Sequence, residues 1–547
     1  MKSQAIMGIT VGAIISLPWL AIMYAGQAIA GLPLLPFDLF ELLSRRLPGG
    51  IITLGIELMI QFVSTLQLGQ TSTIGKSIEF IFAYILTLIL LSGTGGLYAV
   101  SLQRLKTAWW VRGSLVGMLL TLAAVLLANW GGWGSVSPVF SAAWLLMTSL
   151  LWGLGLAWGV DRYINALSEE KSTDRRRVIG QLTIGSLALT LMAYGLGRRF
   201  SGQPKPAEVA QGLFTPEPTT PLPTTPPTST GFVPVPGTRP EITPIEDFYR
   251  VDINLLPPGD EEFLDSSDPL VQRLLAQGGE TDLPAATYVL AIDGMVRNPL
   301  LLSLEDLKAY PKSEKFATLT CISNPVGGDL IDTTLFEGAR LKDVLEEAGL
   351  EPGVVDIKFT CVDGYSESLP VESALDDETL LCYAMGNKSL SRSHGSPIRL
   401  YTPNRYGIKN PKWIIKIEAI DSDYSGFWEQ RGWSEEAWVQ TTSVIDTTVT
   451  DEANLTQVGG IAFAGARGIQ SVELSVDEGA WKTVELDRPV SPLTWVIWRS
   501  SLDLAPGEHL ITVRAIDGEG EMQIEERSPT HPSGATGYHS KTVTVEG

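Results

Sequence analysis

Three cysteines, four histidines and two carboxylates in apolar surroundings are the residues of this 547-residue chain that could do chemistry. Cys321, Cys361 and Cys382 are too few for a disulfide scaffold, and no Cys-X-X-Cys pair exists, so zinc ribbons and thioredoxin-like sites are not expected. A thiolate is a soft ligand that suits a transition metal, whereas a lone Cys is also a small inert core side chain. Cys361 and Cys382 fit the second reading better, with a bridge between them left open. His394, His509, His531 and His539 all lie outside the N-terminal third. A haem held between helices normally takes axial His ligands, so no haem is expected there. His531 and His539 read as loop and surface residues before metal ligands. Glu57 interrupts an apolar stretch, which makes it a candidate proton or quinone residue against a pairing or interfacial role; Glu79 falls at a helix end.

The elements that must position these residues divide the chain. Only 18% of residues are charged and 44% are hydrophobic, against roughly 25% charged for an average soluble protein. Residues 1–205 carry 15 Lys and Arg against 8 Asp and Glu, a net of +7, which leaves −28 for the rest. Six apolar stretches, at about 6–31, 49–70, 78–102, 109–130, 137–160 and 178–197, approach the roughly 20 residues that a span requires. An all-α transmembrane bundle over 1–200 is therefore predicted, with the lipid bilayer as its partner. Gly93-Thr94-Gly95-Gly96 suggests close helix packing. Arg45, Arg46, Arg104, Lys106, Arg112, Arg162, Lys171 and Arg175–Arg177 fall in alternate loops, and that bias places both termini outside. Asp174-Arg175-Arg176-Arg177-Val178-Ile179 resembles a twin-arginine export signal set internally; an ordinary positive cluster gives the same orientation.

Residues 201–240 hold 11 Pro and 8 Thr and cannot bury a core, so they read as an extended linker. Beyond them the pattern is short strands and helices: strands at 287–294, 355–362 and 413–420, a capped helix starting at Ser303, and a helix over 341–348 stopped by Gly349. Residues 446–547 alternate in short strands as a β-sandwich does. The acidic C-terminal part repels phosphate backbones, so no nucleic acid partner is expected.

Five motifs follow in order: Phe248-Tyr249-Arg250-Val251-Asp252, Thr318-Leu319-Thr320-Cys321-Ile322-Ser323-Asn324, Asp363-Gly364-Tyr365, His394-Gly395-Ser396-Pro397-Ile398-Arg399, and Tyr406-Gly407-Ile408-Lys409-Asn410-Pro411-Lys412-Trp413. Together they resemble the sulfite-oxidase-type molybdopterin domain over about 245–435. The resemblance implies an α+β molybdopterin domain over 241–445, then an immunoglobulin-like dimerisation domain over 446–547. It implies molybdenum held by a single molybdopterin, with Cys321 as the protein's metal ligand. Arg399 and Lys409 match the phosphate and pterin contacts, and an Arg fork suits such a group. His394, Tyr249, Arg250, Asn324, Cys361, Gly407 and Ile408 match further cofactor contacts, and Tyr365 a substrate-side hydroxyl.

The implied activity is oxygen-atom transfer by an outward-facing molybdenum oxidoreductase. Sulfite oxidases proper place basic residues after the ligating Cys, whereas Cys321 is followed by Ile322-Ser323-Asn324-Pro325-Val326. A local clamp for an anion is thus missing, and the substrate expectation covers both small sulfur oxyanions and sulfoxides. No haem, flavin or iron–sulfur motif is visible, so a separate electron carrier, a quinone or a cytochrome, is expected, along with a homodimer. The rival readings are a non-catalytic binding module on a stalk and an enzyme module attached to a membrane sensor or quinone-reactive domain.

Overall fold

The computed structural model describes residues 2–66, 68–101, 107–131, 138–168, 172–200, 231–253, 288–450 and 455–546. The side chains of Arg104, Lys106, Lys171 and Arg175–Arg177, and linker residues 201–230, lie outside the described residues. The chain forms two compact units.

Among the described residues the first unit draws on the chain up to Leu47 and on Lys76–Phe200. Its helices are α1 (Lys2–Ala30), α2 (Leu35–Arg46), α4 (Thr71–Val100, from Lys76 on), α5 (Trp109–Gly131), α6 (Pro138–Ser168) and α7 (Ser172–Phe200); α3 (Gly49–Leu66) belongs to the second unit. Ile81, Phe82, Leu97, Leu119, Ile184 and Leu191 stay exposed on these helices. A helix that is apolar on its outer as well as its inner side suits lipid. Among the described residues five helices are each long and apolar enough to cross a membrane, or six if α2 and α3, bent at a break, are counted as one span. Helix α2 escaped the sequence reading because it is short and mixes charges with its apolar residues.

Inside this unit the helices meet through small residues. A Cβ on Gly95 would come within 2.3 Å of the Gly8 carbonyl oxygen, as the Gly-rich stretch suggested, while nothing approaches Gly93. Gly153 meets Gly113 in the same way. Polar groups are paired across helices: Trp152 Nε1 donates to Ser16 Oγ at 3.0 Å, and Arg112 pairs with Asp161 at 3.2 Å.

In the second unit the first sheet runs β2 (Leu300–Leu302), β1 (Leu290–Gly294), β10 (Ile414–Ile420), β5 (Asp356–Cys361), β6 (Ser366–Pro370). Only the β1–β10 pair is parallel. The second sheet is antiparallel, β3 (Lys312–Thr320), β4 (Ile331–Arg340), β7 (Leu380–Met385), β8 (Lys388–Ser389), with β9 (Arg399–Tyr401) also on β7. Helix α8 (Leu304–Ala309) starts at the predicted capping box, Ser303 with Asp306, and α9 (Leu341–Ala348) ends at left-handed Gly349. Helix α9 buries Leu341, Val344, Leu345 and Ala348 in the core that also holds Ile292, Phe359 and Ile417 of the first sheet.

Two four-stranded sheets follow: β11 (Thr442–Thr450), β12 (Leu455–Phe463), β16 (Val496–Asp503), β15 (Glu485–Leu486), and β14 (Lys482–Thr483), β13 (Ile469–Val476), β17 (Gly507–Asp517), β18 (His539–Val545). They share one core, with Val458 and Trp498 from one sheet against Val472, Ile511 and Val513 from the other. Trp498 is fully buried and donates to the Ile461 carbonyl at 3.1 Å. Trp498→Ala should therefore cost about 3–5 kcal/mol. Thermal unfolding of the purified chain, followed by circular dichroism, reads this as an earlier transition.

Candidate active site

Cys321 immediately follows β3, where the chain leaves the sheet for a tight loop. Its N–H donates to the Leu330 carbonyl at 2.9 Å, and its carbonyl accepts from Asn324 N–H at 3.0 Å. Asn324 Oδ1 in turn accepts from Leu330 N–H at 3.0 Å, so the Asn closes the loop that holds the thiol. The sulfur lies 3.0 Å from Ser323 Oγ. Burial pushes the thiol pKa up, with the Ser323 hydrogen bonds opposing.

Cys321 lines a cavity of about 80 Å³ with Tyr249, His394, Arg399, Gly407, Ile408 and Tyr365. Phe248, Asp363, Lys412, Trp413 and Trp428 complete much of its wall. Arg399 opens β9. Gly395, at φ +107°, lets the preceding turn lie against it: a Cβ there would come within 3.0 Å of Arg399 Cβ and 3.1 Å of Lys412 Cβ. Gly407 opens a single helical turn, and a Cβ on it would sit 3.2 Å from Tyr249 Oη.

The electrostatics of this cavity are unbalanced. Arg399 is buried, and among the described residues no carboxylate pairs with it. Its Nη1 donates to the His394 carbonyl at 3.3 Å, and its Nε has no partner. Burial pulls its pKa below the ordinary guanidinium range. Tyr249 Oη is also buried without a partner, and burial raises its pKa. Burial, with Arg399 and Lys412 beside it, pushes His394 down to about 3, so its imidazole is neutral at physiological pH. Lys412 Nζ pairs with Asp252 at 3.2 Å and donates to the Ser393 carbonyl at 3.2 Å. Burial pulls its pKa down to about 8 against the pull of Asp252. Lys412 is thus offset by Asp252, which also lines the cavity, whereas the Arg399 guanidinium beside the buried thiol and the neutral His has no carboxylate partner among the described residues, and a buried cation of this kind suits an anionic ligand.

Lys409, Arg250 and Cys361, singled out from sequence, are not on the cavity wall. Lys409 Nζ is buried between Glu367, at 2.9 Å, and Glu429. Burial works against its ammonium, but the two carboxylates outweigh it and raise the pKa. Arg250 pairs with Asp252 at 2.6 Å, and so acts on Lys412 through a shared carboxylate. Cys361 ends β5 inside the core of the first sheet. All three cysteines are free, so the Cys361–Cys382 bridge does not form. Tyr365 is on the wall, but its hydroxyl is engaged, donating to the Ile408 carbonyl at 2.6 Å with Glu367 Oε2 3.2 Å away. Sequence reasoning passed over Lys412; its signal was a Lys-Trp pair at the mouth of a predicted strand.

The histidines of the sandwich have structural partners. His531 packs edge-on against Trp433, and His539, half-buried rather than on the surface, accepts from Ile445 N–H at 3.0 Å. Among the described residues no three His, Cys, Asp or Glu converge to hold a metal ion.

A single buried thiol at the end of a strand thus shares a cavity with a guanidinium that no carboxylate pairs among the described residues. Residues 278–428 match the oxidoreductase molybdopterin binding domain. An oxidoreductase of Bacillus subtilis (strain 168), YuiH, is 32% identical over 144 residues, which cover 26% of this chain and 71% of that protein. The chain belongs to this molybdopterin-binding oxidoreductase family. The sulfite oxidase of Arabidopsis thaliana is 27% identical over 305 residues, 44% of this chain and 77% of that protein. The mitochondrial sulfite oxidase of Drosophila melanogaster is 28% identical over 298 residues, 44% of this chain, and the match spans about half of its length, 52%. Among solved structures, the sulfane dehydrogenase SoxCD of Paracoccus pantotrophus aligns with a TM-score of 0.42 and 22% identity over 47% of this chain and 78% of that one.

Proposed function

We propose that this chain is a membrane-anchored, outward-facing molybdenum oxidoreductase that moves an oxygen atom to or from a small sulfur oxyanion or sulfoxide. The observation that carries this reading is Arg399, a buried cation without a carboxylate partner among the described residues, in one cavity with the Cys321 thiol and the orphaned Tyr249 hydroxyl. A buried charge left unpaired is strongly unfavourable. A phosphate-bearing pterin with a thiophilic metal would satisfy all three groups at once.

In this reading Cys321 is the protein's metal ligand, and its thiol, kept protonated by burial, loses its proton on ligation. Arg399 and Tyr249 supply donors to the anionic and polar edges of the pterin. Neutral His394 would offer a ring nitrogen to the pterin, and the Gly407–Ile408 backbone, on the same cavity wall, would help hold it. Lys412, oriented through Asp252 and Arg250, adds positive charge on the same wall. Tyr365, whose hydroxyl is held by the Ile408 carbonyl, would line the substrate side of the cavity. Asn324 positions the Cys321 loop, Cys361 packs the sheet beneath, and Lys409 holds two carboxylates in place. When bound, the molybdenum supplies the two-electron redox change and the oxygen-atom transfer; the protein supplies position and charge.

The supporting division is a membrane domain over 1–200, a linker over 201–240, the cofactor domain over 241–445 and an immunoglobulin-like sandwich over 446–547 that joins two copies. Electrons pass to a separate quinone or cytochrome. Purified from a host that makes the cofactor, the loaded chain should oxidise sulfite with an artificial acceptor or reduce a sulfoxide with a donor. A loaded chain inert to both substrate classes contradicts the substrate assignment.

Arg399→Gln tests the cofactor contact. Hydrogen bonds to charged groups contribute about 1.5–3 kcal/mol, so pterin binding should weaken by about 10–100-fold. Pterin released per folded chain, measured by fluorescence after oxidation, should fall accordingly under limiting cofactor. Unchanged loading contradicts the assigned role.

A further inference from the structure

We propose that α3 does not cross the bilayer but lies along its surface, with one face on the cofactor-bearing unit and the other in lipid. The two faces of this helix are both apolar. Thr53, Ile56, Ile60 and Val63, spaced three, four and three residues apart, turn inward. Ile60 enters the core that contains Phe248, Tyr249 and Cys321, and Ile56 packs against the same core. Ile51, Leu54, Leu58, Phe62 and Leu66 turn outward and are 52–56% exposed, with exposed Gln61 alongside them.

The ends of the helix decide how it lies. At its start, Gly49 sits so close to Arg431 that a Cβ would come within 2.6 Å of the Arg431 carbonyl oxygen. Just beyond its end, Gln70 Nε2 donates to the Asp247 carbonyl at 2.6 Å, and Thr71 N–H donates to Asp329 Oδ2 at 2.7 Å. Arg431, Asp247 and Asp329 belong to one folded body with polar surface. A helix tied to that body at both ends cannot have those ends on opposite sides of a membrane. Its 18 residues also reach only about 27 Å, short of the roughly 30 Å hydrocarbon core.

Lipid is the occupant that the chain itself supplies. Helix α1 precedes α3 and α4 follows it, and both are long and apolar enough to cross a membrane. An apolar stripe held between two such segments is kept at the bilayer, where burial of Ile51, Leu54, Leu58 and Phe62 in the headgroup–acyl boundary removes them from water. Glu57, half-buried between the two faces, then meets the headgroup layer instead of the hydrocarbon. This inference rests on the membrane reading of α1 and α4 to α7, and not on the molybdenum chemistry.

Depth-dependent quenching in the full chain tests it. Leu54→Cys, Leu58→Cys and Phe62→Cys, each carrying an environment-sensitive fluorophore, are placed in vesicles whose lipids are brominated at different depths. Leu119→Cys in α5 reports a spanning helix, and the unsubstituted chain, whose cysteines are buried, sets the labelling background. The expected result is shallow quenching of equal depth at all three α3 positions. A change in depth approaching the about 12 Å of rise between positions 54 and 62 would mean a span and overturn the proposal. Unquenched α3 labels with a quenched Leu119 label would mean that protein, such as a second copy, covers the stripe, and would also overturn it. Quenching at neither place would sink the membrane reading itself and the inference with it.

Discussion

Cys321→Ala should lower turnover by more than about 100-fold, because loss of even an outer partner of a metal ligand costs roughly 10–100-fold. The substitution removes the only described Cys that lines the cavity. The fold should survive. The thiol is a small buried group whose loop is fixed by main-chain bonds to Leu330 and by the Asn324 side chain, not by the sulfur. Steady-state rates should be normalised to pterin content, with circular dichroism as the control for folding. Full turnover per pterin in the variant would show that the sulfur is not in the reaction. Cys382→Ala is a useful contrast: it changes a core thiol on β7 and should leave turnover per pterin unchanged.

Lys409→Met should destabilise the cofactor-bearing unit by about 3–5 kcal/mol, the usual cost of breaking a buried pair by removing one partner. Glu367 and Glu429 are almost wholly buried and share the Lys409 ammonium. Without it two carboxylates face each other out of water. Burial already pushes Glu367 upward, so uptake of a proton there will soften the loss. Lys409→Met with Glu367→Gln removes one of the stranded charges and should recover part of the stability. Chemical denaturation followed by tryptophan fluorescence measures both variants. A stable Lys409→Met protein that binds pterin poorly would instead return Lys409 to the cofactor.

How much could be read in advance depended on the distance over which each feature is encoded. The capping box at Ser303, the Gly349 stop and the strand at 414–420 are local patterns, and the structure has all three. The motif around Cys321 singled out the thiol, but strand β3 that delivers it was not among the strands read from sequence. Lys409 and Lys412 could not be separated in this way. They stand three residues apart, and which of them meets the cavity depends on Glu367 and Glu429, which belong to distant segments. Similarly, 49–70 is apolar enough to read as a span. Its ties to Asp247, Asp329 and Arg431 are long-range and leave no local mark. Trp498 shows the same limit within the sandwich: the two sheets that bury it pair strands far apart in sequence.

Molybdenum absorption spectroscopy on the purified full chain, with metal and pterin quantified in the same sample, tests the central claim most directly. The account predicts about one molybdenum per chain, a pterin in equal amount, and one fewer sulfur neighbour around the metal in Cys321→Ala than in the natural chain. A folded chain without molybdenum or pterin, from a host that loads a control enzyme, would contradict it. So would a metal whose sulfur neighbours are the same with and without Cys321.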